Sequence, residues 1–163
     1  RVGAEVDPAT VSVLMAEVPR SVVASPALLA RFPAVNTPED LQPFPWIAIN
    51  SFYQRHVELF HDASSATARI DITPRLSTDS LYVARKTALT GLGVAVVSSW
   101  TVHDDIREGR LVHVLPEWQP AALPVHLVYP WSRYYPARLR RFLELMRQVM
   151  PEVTGMRKPV QQP

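Results

Sequence analysis

The stretch RIDITPRLSTDSLYVARKTALTGLGVAVVSSW, residues 69–100, decides the fold. Arg69-Ile70-Asp71-Ile72-Thr73 alternates polar with apolar, the period of a half-buried strand, and the reading carries that strand from Ala68 to Leu76. Ser77-Thr78-Asp79 then supplies the residue types that cap helix N-termini. Leu81, Ala84, Ala88 and Leu89 follow at helical spacing, and Gly91 stands where a helix needs a left-handed residue beyond its end. Gly93-Val94-Ala95-Val96-Val97 is a continuous apolar run, the mark of a strand covered on both faces in a parallel sheet. Ser98-Ser99 opens a further helix ending near Gly109. Strands alternating with helices predict an α/β sheet.

The same grammar extends outward. Arg20-Ser21-Val22-Val23-Ala24 and Trp46-Ile47-Ala48-Ile49-Asn50 read as short strands. In Ser25-Pro26 and Thr37-Pro38 a capping residue precedes proline at the first helical position, and Glu39-Asp40 adds acid to the first turn, so two short helices begin there. Leu111-Val112-His113-Val114-Leu115 and Val125-His126-Leu127-Val128-Tyr129 are further strands. After Pro136, residues Leu139, Phe142, Leu143, Met146, Val149 and Met150 form one apolar stripe, with Arg138, Arg140, Arg141, Glu144 and Arg147 opposite, the plainest helix in the chain. From Thr154 to Pro163 periodicity ends and fraying is expected.

The chain has 163 residues, enough for one core or for two small lobes sharing one. Hydrophobic residues make up 47% and charged residues 20%, the balance of a globular protein and not of a fibre or a disordered tail. A formal charge of +2 makes no electrostatic claim on nucleic acid or membrane. Without cysteine there is no disulfide, thiolate nucleophile or sulfur-held metal, and the compartment leans towards cytoplasm. Arg1-Val2-Gly3-Ala4-Glu5-Val6-Asp7 has neither the apolar core of a signal peptide nor an initiator methionine, and reads as the middle of a longer chain. The longest apolar runs fall short of the roughly 20 residues a membrane span needs, so the chain reads as soluble.

The search for chemistry is mostly a record of absences. Gly91-Leu92-Gly93 precedes a strand, whereas a dinucleotide fingerprint follows one and opens a helix. There is no Gly-Lys-Ser/Thr phosphate loop and no GxSxG elbow. His56 and His61, with Glu58 and Asp62 nearby, share no helical face that would make them a metal pair, and they read as surface histidines. Asp104-Asp105 is accounted for by acid in the first turn of a short helix, and the arginine face of the last helix by solvation. No catalytic residue, metal or cofactor is expected. Two strand-to-helix junctions remain, Leu76-Ser77-Thr78-Asp79-Ser80 and Val97-Ser98-Ser99-Trp100. Each is either a set of caps or, together with the other, a polar mouth for an anionic or polar ligand at strand ends.

The order of several segments resembles one family. Val22-Val23-Ala24-Ser25-Pro26-Ala27-Leu28-Leu29 with Thr37-Pro38-Glu39-Asp40-Leu41 is similar to the "ASPxYL … P.TPEDL" segment of LysR-type transcriptional regulators. Thr78-Asp79-Ser80 with Ala88 to Ala95 resembles their "ND … AxxGxGIA". Residues Gly109 to Trp118 resemble "GRLVxxLPxW", Val125 to Pro130 resemble "PVxxVYP", and Arg1-Val2-Gly3 is similar to "IRxG". The resemblance runs from Arg1 to about Met150. Thr78 stands where the motif has Asn, keeping a hydrogen-bonding group with different geometry.

This resemblance implies a two-lobed α/β fold like type II periplasmic binding proteins, with a small effector held in the cleft and strands crossing near Val18 to Ser21 and at Val125 to Tyr129. Residues 20–124 would form a complete second lobe; residues 1–19 and 125–163 would supply part of the first. The rest of that lobe and the DNA-binding winged helix-turn-helix would lie upstream of Arg1. Ligand contacts are expected at Arg1, Gly3, Ser77, Thr78, Asp79, Ser80 and Ser98. Nearby aromatics and hydroxyls permit a carboxylate effector without requiring one. A homodimer or homotetramer would carry the signal to DNA, with no bond made or broken. The rival readings are an extracytoplasmic solute-binding protein and an enzyme on the same fold.

Overall fold

A computed structural model describes residues 2, 9–50, 53 and 55–159. In chain order the strands are β1 (Thr10–Val18), β2 (Arg20–Ala24), β3 (Trp46–Ile49), β4 (His56–His61), β5 (Thr67–Asp71), β6 (Pro74–Thr78), β7 (Val94–Ser98), β8 (Val112–His113), β9 (Trp118–Pro120) and β10 (Leu123–Pro130). The helices are α1 (Pro26–Leu29), α2 (Leu81–Leu89), α3 (Ser99–Arg107) and α4 (Ala137–Val149), with 3-10 turns at Pro38–Leu41 and Met150–Glu152. The chain divides into two compact units, Arg1–Pro19 with Ala122–Pro163, and Arg20–Ala121.

The second unit is built on a five-stranded sheet of order β6-β3-β7-β2-β8. β3 runs parallel to both β6 and β7, whereas β2 is antiparallel to β7 and β8. The sheet is thus mixed, where the unbroken apolar run of β7 had pointed to an all-parallel one. Every residue of β7 is buried because β3 and β2 flank it and α2 and α3 pack on it. Trp46, Leu28, Leu41, Ile47, Ile49, Leu59 and Leu111 are fully buried in this core, each aliphatic side chain contributing about 1.5–3 kcal/mol. Both glycines of Gly91-Leu92-Gly93 serve packing. Gly91 takes φ +76° beyond α2, and a Cβ at Gly93 would lie 2.8 Å from the Pro45 carbonyl oxygen.

The expected strand from Ala68 to Leu76 is in fact two. β5 joins a separate antiparallel sheet of order β5-β4-β9, and β6 joins the main sheet. Pro74, which has no N–H to give a ladder, marks the change of sheet. β4 is a strand that the sequence pattern does not predict, and it carries His56 and His61, expected at the surface. Both are half-buried, and His61 packs edge-on to Trp118 at 5.0 Å. The strand at Leu111–Leu115 shrinks to Val112–His113.

The first unit pairs β1 with β10, antiparallel, with a bulge at Met15. Leu123 and Pro124, grouped with the second lobe in the sequence reading, pair with Val18 and Glu17 and so lie here. The core is small: Ala16, Val18 and Val125, with Leu123, Met150 and Met156 against them. On α4 only Leu143 is buried, while Phe142 and Val149 of the expected stripe are exposed. Nor does the chain fray from Thr154 to Pro159, while residues 160–163 of the expected frayed tail lie outside the described residues. Glu17 and Arg157 exchange both backbone hydrogen bonds, at 3.0 and 2.9 Å, and their side chains pair at 3.3 Å.

Asp105 corrects a second reading. It lies late in α3, away from the first turn, and is completely buried. Arg85 Nε and Nη2 donate to its carboxylate at 2.5 and 2.9 Å, and Arg110 Nε and Nη2 at 2.9 and 2.7 Å. Burial alone would raise this carboxyl's pKa, but the hydrogen bonds from Arg85 and Arg110 outweigh it and hold the group ionised below the usual carboxylate range. Its backbone carbonyl also accepts from Arg110 and Leu111. One residue therefore ties α2, α3 and the turn into β8. Both arginines keep partial access to water, so Asp105→Ala is expected at the lower end of the range for a broken buried pair, about 3 kcal/mol of stability in urea denaturation.

His113 on β8 has a buried Nε2 with no hydrogen-bond partner. Burial pushes its pKa below the ordinary imidazole value, against a smaller opposing pull from Asp62. The unfolded chain therefore binds a proton more readily than the folded one. The His113 contribution to stability should be fully present above the ordinary imidazole pKa of about 6.5 and decline as pH falls below it. Tm measured between pH 7.5 and 5 should fall less in His113→Gln than in the parent.

Candidate functional site

Because β6, β3 and β7 are parallel, their C-terminal ends share one edge of the sheet, and antiparallel β2 contributes its start. The edge therefore gathers Thr78, Asn50, Ser98 and Arg20. Thr78 and Ser98 sit on strands separated by β3 alone. Ends of parallel strands are where open α/β sheets hold ligands, since the chain there turns into helices with unpaired N–H groups.

At the first junction Thr78 Oγ1 accepts from Ser80 N at 3.1 Å, and Ser80 Oγ caps α2 by accepting from Val83 N at 3.4 Å. Both hydroxyls act as acceptors in these bonds, which leaves their hydrogens for another acceptor. Thr78 is half-buried, whereas Ser77, its neighbour on the strand, is exposed and lies on the opposite face of the sheet. Asp79 is exposed in the turn. At the second junction Ser98 is buried and makes no side-chain capping bond to α3. Ser99 Oγ instead meets Ser21 Oγ at 2.8 Å. Thr78, Ser80 and Ser98 thus gather at the edge and Ser77 turns away from it, while Arg1 and Gly3 lie outside the described residues.

Three residues of this edge were not singled out from sequence. Asn50 N donates to Thr78 O at 3.0 Å and joins two strand ends. Tyr53 does more. The β3–β7 ladder pairs Trp46 with Val94 and Ile47 with Ala95, then stops. There the Tyr53 hydroxyl enters, donating to Ile47 O at 2.5 Å and accepting from Val96 N at 3.0 Å, so that it replaces the missing ladder bond while keeping the strands apart. Burial pushes its pKa well above the ordinary phenol value, and it remains a donor. Arg20, opposite Ser98 in the β2–β7 register, is the third. Its Nε donates to Ala121 O at 2.6 Å, and burial lowers its pKa, with a smaller opposing effect from Tyr53. In the sequence Arg20 was visible only as the lone cation heading a β-branched strand. The role of Tyr53 depends on where two strands part, for which sequence carries no signal.

A larger hollow of about 550 Å³ lies over Arg85, Asp105 and Arg110, but those charges already satisfy one another. Among the described residues no three His, Asp or Glu side chains converge on a metal-sized space, and no helix is long and apolar enough to cross a membrane.

Residues 1–151 match the family model described as the LysR substrate binding domain. The chain belongs to that family. Its domain is regulatory and its relatives are transcriptional regulators, not enzymes. It is 32% identical over 126 residues to the HTH-type transcriptional regulator PtxR of Pseudomonas aeruginosa, covering 77% of this chain and 40% of that protein. It is 30% identical over 160 residues to the HTH-type transcriptional regulator DmlR of Escherichia coli, covering 93% and 49%. The chain therefore spans half or less of these relatives. The regulatory domain of the C227S variant of AphB from Vibrio vulnificus superposes with TM-score 0.73 at 22% identity, over 91% of this chain and 74% of that one. CrgA of Neisseria meningitidis superposes with TM-score 0.65 at 22% identity, over 91% and 50%. The two-lobed, periplasmic-binding-protein-like α/β architecture expected of a LysR-type domain is thus the one observed.

Tyr53→Phe keeps the ring and removes the bridge, leaving Ile47 O and Val96 N unpaired in the LysR-type core. A loss of roughly 1–3 kcal/mol per orphaned group is expected by denaturant titration, with faster amide exchange at Val96.

Proposed function

We propose that this chain is the effector-sensing part of a cytoplasmic LysR-type transcriptional regulator that takes a small carboxylate at the strand-end edge of its second unit. In the full-length protein, a homodimer or homotetramer, effector occupancy would control DNA binding through a winged helix-turn-helix. The observation that carries this reading is the pairing of a family match over residues 1–151 with two hydroxyl-bearing strand ends, at Thr78 and Ser98, on one edge of one sheet. The Ser98 hydroxyl is not spent on capping its helix, and those of Thr78 and Ser80 keep donors to offer. Asp79 lies in the turn beside this mouth; Ser77, which faces away from it, and Arg1 and Gly3 belong to the proposed contact set through their motif alone.

Such a domain makes and breaks no bond. It works by binding one arrangement of itself more tightly than another, and a ligand shifts that equilibrium only by its differential affinity. A hydroxyl that donates to a carboxylate contributes on the order of 1.5–3 kcal/mol, enough for a factor of ten or more in affinity.

A thermal-shift screen of small carboxylates against the full-length protein finds the effector, since a ligand that binds the folded state raises Tm. Thr78→Ala should then weaken the confirmed hit about tenfold in calorimetry while leaving the ligand-free Tm nearly unchanged, and should shift by the same factor the effector concentration that alters footprints on promoter DNA. Unchanged affinity in Thr78→Ala would remove the site from this edge.

A further inference from the structure

At the Arg20 end of the strand-end edge, the second unit has a smaller, half-open cavity of about 130 Å³. Arg20, Tyr53, His56 and Glu58 line it, together with Val96 and Ala121. Arg20 is half-buried as a residue, yet among the described residues no carboxylate pairs with its guanidinium; Glu58 on the same wall is exposed and beyond ion-pair distance. The Arg20 Nε is committed to Ala121 O, and among the described residues no acceptor is bonded to its other N–H groups. The neighbouring Tyr53 hydroxyl is fully engaged with Ile47 and Val96 and supplies no counter-charge. A cation drawn partly out of water without an opposite charge is costly, and proteins seldom keep one without a partner.

We propose that this cavity is an anion subsite in which Arg20 grips the carboxylate of a small organic acid. Planar guanidinium donors match the two oxygens of a carboxylate. At about 130 Å³ the space is smaller than the roughly 300 Å³ at which drug-sized sites begin, so it holds a carboxylate head with a short chain or a single ring. Position gives the subsite leverage. Arg20 and Ala121 are the first and last residues of the second unit, and the 2.6 Å bond between them joins the two points where the chain leaves it. An anion on Arg20 therefore bears directly on both points. The inference rests on the effector-sensing reading only for its biological meaning; binding at Arg20 stands or falls separately.

The test uses acetate, benzoate, neutral benzamide and inorganic phosphate as probes on the full-length protein, read by calorimetry and by the ¹⁵Nε resonance of Arg20. Acetate and benzoate should bind and move that resonance, and benzamide should do neither. Arg20→Gln should weaken benzoate at least about tenfold, with partial rescue in Arg20→Lys, as expected for loss of a charge-assisted pair. Glu58→Gln should tighten benzoate, because it removes the negative charge on the cavity wall. Equal binding by Arg20→Gln, or no binding of either carboxylate by the parent, overturns the proposal. Preference for phosphate overturns the carboxylate assignment. If Arg20→Gln loses benzoate while promoter footprints never respond to a carboxylate, the subsite stands and the regulatory reading fails; the reverse result leaves Thr78 with the effector and Arg20 without one.

Discussion

The buried carboxylate of Asp105, held by Arg85 and Arg110, sets where the two helices of the second unit can lie. α2 leaves the sheet just after Thr78 and α3 just after Ser98, so both helices start at the candidate site. Their later turns are joined by the Arg85–Asp105 pair, and Arg110 carries the link into the next segment. Such an arrangement is a poor source of net stability compared with apolar packing, because burying the charge consumes much of what the pairing returns. Its value is directional. Two helices that might slide along an apolar sheet are pinned by planar donors to one carboxylate, and the strand ends that open them are pinned in turn.

A second constraint acts on the other face of the problem. β3 and β7 must pair closely enough to bury Ile47 and Val97, yet part before their ends if anything is to enter between them. Tyr53 resolves this with one hydroxyl that does the work of a ladder bond at longer span. The sheet stays satisfied in its backbone hydrogen bonds while its edge opens. Gly93 serves the opposite end of the same strand, where the chain passes so close to the Pro45 carbonyl that no side chain fits. β7 is thus clamped at its start and released at its finish.

What could be read from sequence followed from local rules. The strand at 94–98, the helix from Leu81, the caps at Ser25 and Ser80 and the left-handed Gly91 are all written in periods and punctuation a few residues long. The errors share a cause in long-range pairing. A single alternating run from Ala68 to Leu76 conceals a change of sheet at Pro74, and the apolar run of β7 does not announce an antiparallel neighbour in β2. Asp105 was misread because acid near a helix start is common, and only the fold brings Arg85 within reach. For the candidate site, hydroxyls at strand ends were legible from their motif. Arg20 and Tyr53 were not, since their roles arise where segments distant in sequence meet.

The placement of Arg20 connects these points. A sensor needs its ligand to bear on a part of the molecule whose position can change, and a ligand bound to the middle of a rigid core biases nothing. The core of the second unit, from Val22 to Val114, is dense and tied by Asp105, so its interior offers little to shift. Its exits differ. There, beside the ends of the β2–β7 and β4–β9 ladders, one side-chain bond from Arg20 to the Ala121 carbonyl joins the two exits. An anion on Arg20, as proposed, would compete for its donors or complete them and so change the balance of forces at both exits at once. Since coupling between a site and a distant response is limited to typically 1–3 kcal/mol, a contact of one charge with one carboxylate at this position is of the right size to carry it.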